Sequence, residues 1–115
     1  MDPLVRHLQA ERRRAAGELA DLEVEFASLA DPDVVALDDE HDSEGATIGY
    51  ERARVGGLIE RTRRRLAELD VAMERSAQGR YLTCEACGGP IDRERLEALP
   101  ATRLCIACAR ARTGG

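Results

Sequence analysis

Two stretches of the chain place apolar residues at alternating intervals of three and four, which is the spacing of a coiled-coil seam. The first begins after Asp2-Pro3, a capping residue followed by proline at the first helical position. Its seam residues are Leu4, Leu8, Ala15, Leu19, Leu22, Phe26 and Leu29. One apolar residue is missing from this series near residues 12–14, which are all arginine. We expect the helix to end near Ala30, because the following Asp31-Pro32-Asp33 sequence disfavours helical backbone.

The second stretch predicts a helix from about residue 46 to residue 78. Its seam residues are Ile48, Val55, Ile59, Thr62, Leu66, Leu69, Met73 and Ser76. Gly56-Gly57 lies inside this helix and costs about 1 kcal/mol per glycine relative to alanine, so it is a local weak point. Between the two helices, residues 31–45 contain seven acidic residues and no arginine, which predicts an acidic connection.

Two helices of similar length, joined by a connection of this size, can bury their seams against each other. We therefore predict a mainly α protein with a long antiparallel coiled-coil hairpin over residues 1–78 and an acidic tip at residues 31–45. A small C-terminal module follows over residues 79–115. Pairing of the helices between two chains in a dimer is an alternative that the pattern leaves open, although we expect a monomer.

The composition narrows the classes of function. The chain is 43% hydrophobic but only 3% aromatic, so it has too little bulky apolar volume for a conventional layered core. A net charge of -5 argues against nonspecific nucleic-acid binding as the main activity and favours a protein partner. No apolar run is long enough for a membrane span, and the N-terminus lacks a signal-peptide pattern. We expect a cytoplasmic protein.

All four cysteines lie in two CxxC pairs, Cys84 with Cys87 and Cys105 with Cys108, separated by 17 residues. Two such turns complete a tetrahedral four-sulfur site that suits Zn²⁺, and a closed site of this kind is structural rather than catalytic. Two disulfides are disfavoured in a cytosolic protein, whereas a redox-sensing role of the same thiolates stays open. Without an open metal position, a pocket-forming core or a nucleophile paired with a base, we expect no enzyme activity.

The module around these cysteines resembles the DksA/TraR family of four-cysteine zinc-finger transcription regulators. The resemblance is carried by a CGxxI sequence from Cys87 to Ile91, an RLxAxP sequence from Arg95 to Pro100, and the second CxxC pair. It covers the zinc module closely and the hairpin by architecture. It implies direct binding to bacterial RNA polymerase, with the zinc module at the rim of the secondary channel and the coiled-coil tip inserted to modulate initiation. It also implies no sequence-specific DNA binding.

Family members carry an Asp-x-x-Asp-x-Ala motif at the tip, and this chain offers two registers for it. In one register Asp39 and Asp42 are the paired aspartates, and Glu44 stands where alanine is expected. In the other, Glu44 is the second acid and Ala46 is the alanine. The resemblance therefore implies Asp39, Asp42, Glu44 and Ala46 as tip residues near the polymerase active site, with Asp42 and Glu44 favoured as the working carboxylates. The alternative is that the acidic run is only a solvated loop.

Family members that respond to the alarmone ppGpp use basic residues on and near the zinc module. The matching positions here hold Glu68, Leu99 and Ala109, which supply no cation for the phosphates. We therefore expect ppGpp coupling to be weak or absent. Two other function classes stay open: a zinc-dependent interaction or redox-sensing coiled coil, and a zinc-ribbon nucleic-acid binder.

Overall fold

The structure is a computed structural model that describes residues 2–29 and 42–113, with the backbone alone described for residues 42–46. Its helices are α1 (Pro3–Leu29), α2 (Asp42–Ala77), α3 (Arg93–Ala98) and α4 (Ile106–Thr113). Two compact units are present: a terminal unit of residues 1–14 and 65–115, and a central unit of residues 15–64. The division at residues 78 and 79 that the sequence motifs suggest stays a prediction.

The ends of the long helices follow local sequence signals. Asp2 caps α1, because its Oδ1 accepts a hydrogen bond of 2.8 Å from the backbone N–H of Leu4. The described helix extends to Leu29, and the predicted end near Ala30 lies just outside the described residues. Helix α2 begins at Asp42, so the prediction of an acidic connection through residue 45 is wrong for its last four residues. Acidic residues are favourable in a first helical turn, where they offset the helix dipole, so Asp42 and Glu44 suit the start of a helix as well as a loop.

The terminal unit holds most of the buried apolar side chains. Leu8 of α1, Leu69 of α2 and Leu96 of α3 are completely buried. Ile91, which precedes α3, is only 2% exposed. Residues 11 and 12 of α1 pair with residues 65 and 70 of α2, so the two helices run antiparallel within one chain here. The seam residues Leu4, Leu8 and Leu69 are buried here, as their spacing predicts. Toward the end of α2 the register differs, because Ala72 and Arg75 are buried while the predicted Met73 and Ser76 are half-buried.

A charged group replaces the apolar residue that the first seam lacks. The Glu11 side chain is only 14% exposed and pairs with Arg14 at 2.7 Å and with Arg65 at 3.1 Å. Arg12, the neighbouring residue, forms an ion pair with Asp70. The gap in the hydrophobic pattern is thus bridged by ion pairs between α1 and α2.

The central unit also pairs α1 with α2 in antiparallel fashion, through ion pairs of Glu23 with Arg63 and of Glu25 with Arg54. Its buried side chains are Ala15, Val55, Ile59 and Thr62. Thr62 satisfies its hydroxyl by donating to the Leu58 carbonyl, at 2.8 Å. A Cβ at Gly56 would lie 3.6 Å from the Phe26 ring, so this glycine brings α2 close to the aromatic side chain.

Two contacts tie the start of α1 to helix α3 within the terminal unit. Arg93 forms an ion pair of 2.6 Å with Asp2, and this guanidinium holds the pKa of the Asp2 carboxyl below its ordinary value. The His7 Nε2 lies 3.1 Å from the Glu97 carbonyl oxygen, so this half-buried histidine also joins α1 to α3. Among the described residues, no helix is long and apolar enough to cross a membrane.

Candidate metal centre

The first CxxC pair lies in a tight turn that backbone hydrogen bonds close. Thr83 and Pro90 form an antiparallel bridge, and the Cys84 N–H donates to the Gly89 carbonyl at 2.8 Å. The Gly88 N–H donates back to the Cys84 carbonyl at 3.0 Å. Gly88 has a φ of 75°, a left-handed conformation that glycine adopts without steric cost. The glycine directly after Cys87 therefore lets the chain fold back around the site.

The second CxxC pair is placed by the start of α4. Cys105 immediately precedes the helix, Cys108 lies in its first turn, and the Ala109 N–H donates to the Cys105 carbonyl at 3.0 Å. A hydrogen bond of 2.9 Å from the Glu85 N–H to the Arg103 carbonyl joins this segment to the first turn. The two turns are thus fixed against each other by the backbone.

These turns bring together the four sulfur atoms of Cys84, Cys87, Cys105 and Cys108, all within 4.8 Å of one another. The Sγ atoms of Cys87 and Cys105 are 3.8 Å apart. A tetrahedral zinc ion with Zn–S bonds of about 2.3 Å spaces its sulfurs by about 3.8 Å. A disulfide needs about 2.05 Å between sulfurs, and all four thiols are free. The donor set therefore fits one structural zinc ion, as the spacing predicts.

The electrostatics of the cluster also favour a bound cation. Backbone N–H groups of Cys105 and Cys87 lower the pKa of the Cys84 thiol to about 6. Hydrogen bonds with the sulfurs of Cys105, Cys87 and Cys84 raise the pKa of Cys108 to about 12, because they favour its protonated form. Four thiolates so close together require a dication to balance their repulsion, which is the role of Zn²⁺ in such sites.

Three side chains other than the four cysteines support the loops of the site. Tyr81 is buried and donates its hydroxyl to the Pro100 carbonyl at 2.8 Å. Arg75 is 7% exposed, and Arg95 donates from Nε to the Leu104 carbonyl at 2.9 Å. The RLxAxP motif contains Arg95, and the position of Tyr81 before the first CxxC pair suggests packing, but no sequence signal indicates that Arg75 is buried.

The side chains of the predicted tip residues lie outside the described part of the structure. Asp39 lies outside the described residues. Asp42, Glu44 and Ala46 lie in the first five residues of α2, and their side chains are outside the described part of the structure. Their role at the tip therefore stays a prediction.

Two of the three positions that the resemblance links to ppGpp line one cleft of the terminal unit. Glu68 and Leu99 line a cleft of about 280 Å³, and Leu99 is 49% exposed. Arg65 also lines this cleft, but its guanidinium pairs with Glu11. Ala109 lies in α4. The cleft thus combines an acidic and an apolar side chain with an arginine that already has a carboxylate partner.

Comparison with known proteins gives three findings. Residues 79–114 match the prokaryotic dksA/traR C4-type zinc finger. An uncharacterized protein of Aquifex aeolicus is 48% identical over 44 residues, which cover 38% of this chain and 30% of that protein. The structure of transcription factor DksA2 from Pseudomonas aeruginosa is similar with a TM-score of 0.84 and 28% identity, over 96% of this chain and 81% of that chain. Residues 79–114 therefore carry the zinc finger of the dksA/traR family, in a chain whose helical fold is similar to that of DksA2.

Proposed function

We propose that this protein is a non-enzymatic, cytoplasmic transcription regulator that binds bacterial RNA polymerase directly. Its zinc-bearing segment contacts the rim of the secondary channel, and its coiled-coil tip enters the channel and alters initiation. One observation carries the proposal: the similarity to the transcription factor DksA2 extends over 96% of this chain and includes the coiled coil as well as the zinc finger. A shared zinc finger alone is compatible with many binding functions.

The physical properties of the helices suit this role. Helix α2 contains 36 residues, and at 1.5 Å per residue it is about 54 Å long. A helix of this length can hold a few carboxylates far from the residues that anchor the protein. We assign the carboxylates of Asp39, Asp42 and Glu44 to contacts near the polymerase active site, with Ala46 beside them. There they act by charge and shape, on basic residues or near the bound Mg²⁺.

The segment that carries the zinc site, residues 79–115, contains six arginines against four acidic residues. Arg110 and Arg112 are exposed on α4. Exposed arginines of this kind can pair with carboxylates on an acidic rim and so support anchoring there.

The cleft around Glu68 and Leu99 supports a regulator that works with little or no ppGpp coupling. Phosphate recognition usually depends on arginine or lysine side chains without competing carboxylates. Here Glu68 places negative charge at the cleft, and Arg65 is already paired with Glu11. Binding of a highly phosphorylated nucleotide at this surface is therefore unfavourable.

The first experiment measures co-migration of the zinc-loaded protein with core RNA polymerase, followed by the lifetime of open promoter complexes. The tip variant combines Asp39→Asn, Asp42→Asn and Glu44→Gln. The matched control combines Glu18→Gln, Asp21→Asn and Glu60→Gln. These three are exposed acids of the central unit, and their replacement changes the net charge by the same amount.

We expect the wild type and both variants to co-migrate with polymerase, and only the tip variant to lose the effect on open complexes. Failure of the wild type to bind would remove the proposed partner and bring forward the interaction or redox-sensing coiled coil. Salt-sensitive binding to DNA or RNA instead would favour the zinc-ribbon nucleic-acid binder. If the tip variant and the control behave alike, polymerase binding stands but the tip assignment is wrong.

A further inference from the structure

Arg75 is a buried cation whose partners are backbone carbonyls. Arg75 lies in the last turn of α2 and is only 7% exposed. Its Nη2 donates to the carbonyls of Arg80, at 3.1 Å, and of Thr83. Its Nε is buried with no hydrogen-bond partner among the described residues. No carboxylate of the described chain pairs with this guanidinium, which makes its burial costly unless another negative charge lies nearby.

Arg95 makes an equivalent contact on the other side of the metal site. This half-buried residue of α3 donates from Nε to the Leu104 carbonyl at 2.9 Å. Thr83 immediately precedes Cys84, and Leu104 immediately precedes Cys105. Each CxxC pair is therefore preceded by a carbonyl that an arginine holds, and neither arginine is taken up by an ion pair in the described chain.

The charge of the metal centre accounts for this pairing. Four thiolates around one Zn²⁺ leave a net charge of about -2. Groups that hold the ligand segments and lie around a metal site tune its affinity, commonly as strongly as 10- to 100-fold. The guanidinium groups of Arg75 and Arg95 hold the carbonyls of Thr83 and Leu104, so they bring positive charge to the residues that precede Cys84 and Cys105.

We infer that Arg75 and Arg95 are positioning residues of the zinc centre. Each holds one CxxC turn through the carbonyl before its first cysteine, and together they balance the negative charge of the four-thiolate site. This role depends on the metal centre alone and is independent of polymerase binding. It separates these two arginines from the exposed arginines of α4, which carry the same charge but hold no carbonyl before a CxxC pair.

The test is the zinc affinity of the intact protein, measured by competition with a chromophoric chelator at fixed pH and ionic strength. The variants are Arg75→Met, Arg75→Gln, Arg75→Lys, Arg95→Met and Arg95→Lys. The Gln variant keeps a hydrogen-bond donor without charge, and the Lys variants keep the charge. Arg112→Met is the matched control, because it removes one exposed positive charge from the same segment. Circular dichroism checks that each zinc-loaded variant retains its helix content.

We expect both Met variants to bind zinc roughly 10- to 100-fold more weakly than the wild type, with the Lys variants recovering most of the loss. The Gln variant should stay close to Arg75→Met, and Arg112→Met should stay close to the wild type. Wild-type affinity in the Met variants would overturn the inference, and so would an equal loss in Arg112→Met. Recovery by Gln as complete as by Lys would overturn the charge balance. If Arg75→Met fails to fold, the Arg95 pair of variants decides the question by the same criteria.

The visible spectrum of the Co²⁺-substituted protein gives a second measurement. Tetrahedral thiolate coordination of Co²⁺ has a characteristic absorption that depends on the arrangement of the ligands. We expect the Met variants to shift or broaden these bands, since the turns that carry Cys84 and Cys105 are held less firmly. Spectra identical to the wild type in both Met variants would contradict the positioning role.

Discussion

The buried hydroxyl of Tyr81 offers a direct measure of how the zinc-bearing segment is held together. Tyr81 is 3% exposed, and its hydroxyl donates to the Pro100 carbonyl at 2.8 Å. Tyr81→Phe keeps the ring but leaves this carbonyl without its donor. A buried acceptor that loses its partner costs about 1 to 2 kcal/mol, so we expect the free energy of unfolding at neutral pH to fall by that amount.

The same hydroxyl also predicts a pH dependence. Burial raises the pKa of Tyr81 from 10.0 to about 12. Below pH 10 the phenol is neutral in both the folded and the unfolded chain, so its stabilising effect is fully present. Between pH 10 and about 12 the unfolded chain loses the proton first, and stability falls as the pH rises. A pKa difference of about two between the folded and the unfolded chain corresponds to about 3 kcal/mol in the free energy of unfolding. Tyr81→Phe has no phenol to ionise at this position, so it cannot show this loss.

The measurement uses a Tyr50→Phe background, in which Tyr81 is the remaining tyrosine of the chain. The absorbance of the phenolate follows ionisation in the zinc-loaded protein, and urea unfolding at neutral pH and at about pH 11 gives the stability. We expect ionisation well above the ordinary tyrosine value and a smaller alkaline loss of stability in Tyr81→Phe than in the background protein. Ionisation near pH 10 in the folded protein would refute the argument, because it would mean that the phenol reaches water.

Two further predictions concern the helices and the cleft. Gly17→Ala and Gly57→Ala meet nothing within 4 Å, so urea unfolding should show each to stabilise the protein by about 1 kcal/mol. Gly79→Ala, at a φ of 74°, should destabilise it instead, and a gain there would contradict the backbone argument. Glu68→Lys combined with Leu99→Arg should raise ppGpp affinity at least about 10-fold in a polymerase binding assay. No change would mean that this cleft is not where the nucleotide acts.

The metal site was predictable from the sequence because its geometry is mainly local. A CxxC turn places its two sulfurs on one side whatever the rest of the fold, and two such turns need only to meet. Gly88 after Cys87 also signals the left-handed turn that closes the first loop. The contacts of Arg75 could not be predicted in this way. Its burial depends on where the carbonyls of Arg80 and Thr83 lie after the chain has turned back.

The helices were predictable in kind but less so at their ends and gaps. Buried Val55, Ile59 and Leu69 lie at the seam positions that the spacing gives. The start of α2 at Asp42 was missed because acidic residues are typical of both loops and first helical turns. The place of Glu11 in the gap of the seam also could not be predicted, since it depends on its ion pair with Arg65 across the hairpin.

The distribution of stabilising features differs between the two compact units. Of the eleven buried apolar residues in the described part of the chain, eight lie in the terminal unit and three in the central unit. The terminal unit also holds the zinc site, and a structural zinc ion contributes its binding energy to folding. The described helices of the central unit instead contain the glycines Gly17, Gly49, Gly56 and Gly57. Each costs about 1 kcal/mol relative to alanine, so local opening of the central unit requires less free energy. In the proposed function, the part that anchors the protein is therefore also the part that the sequence stabilises most.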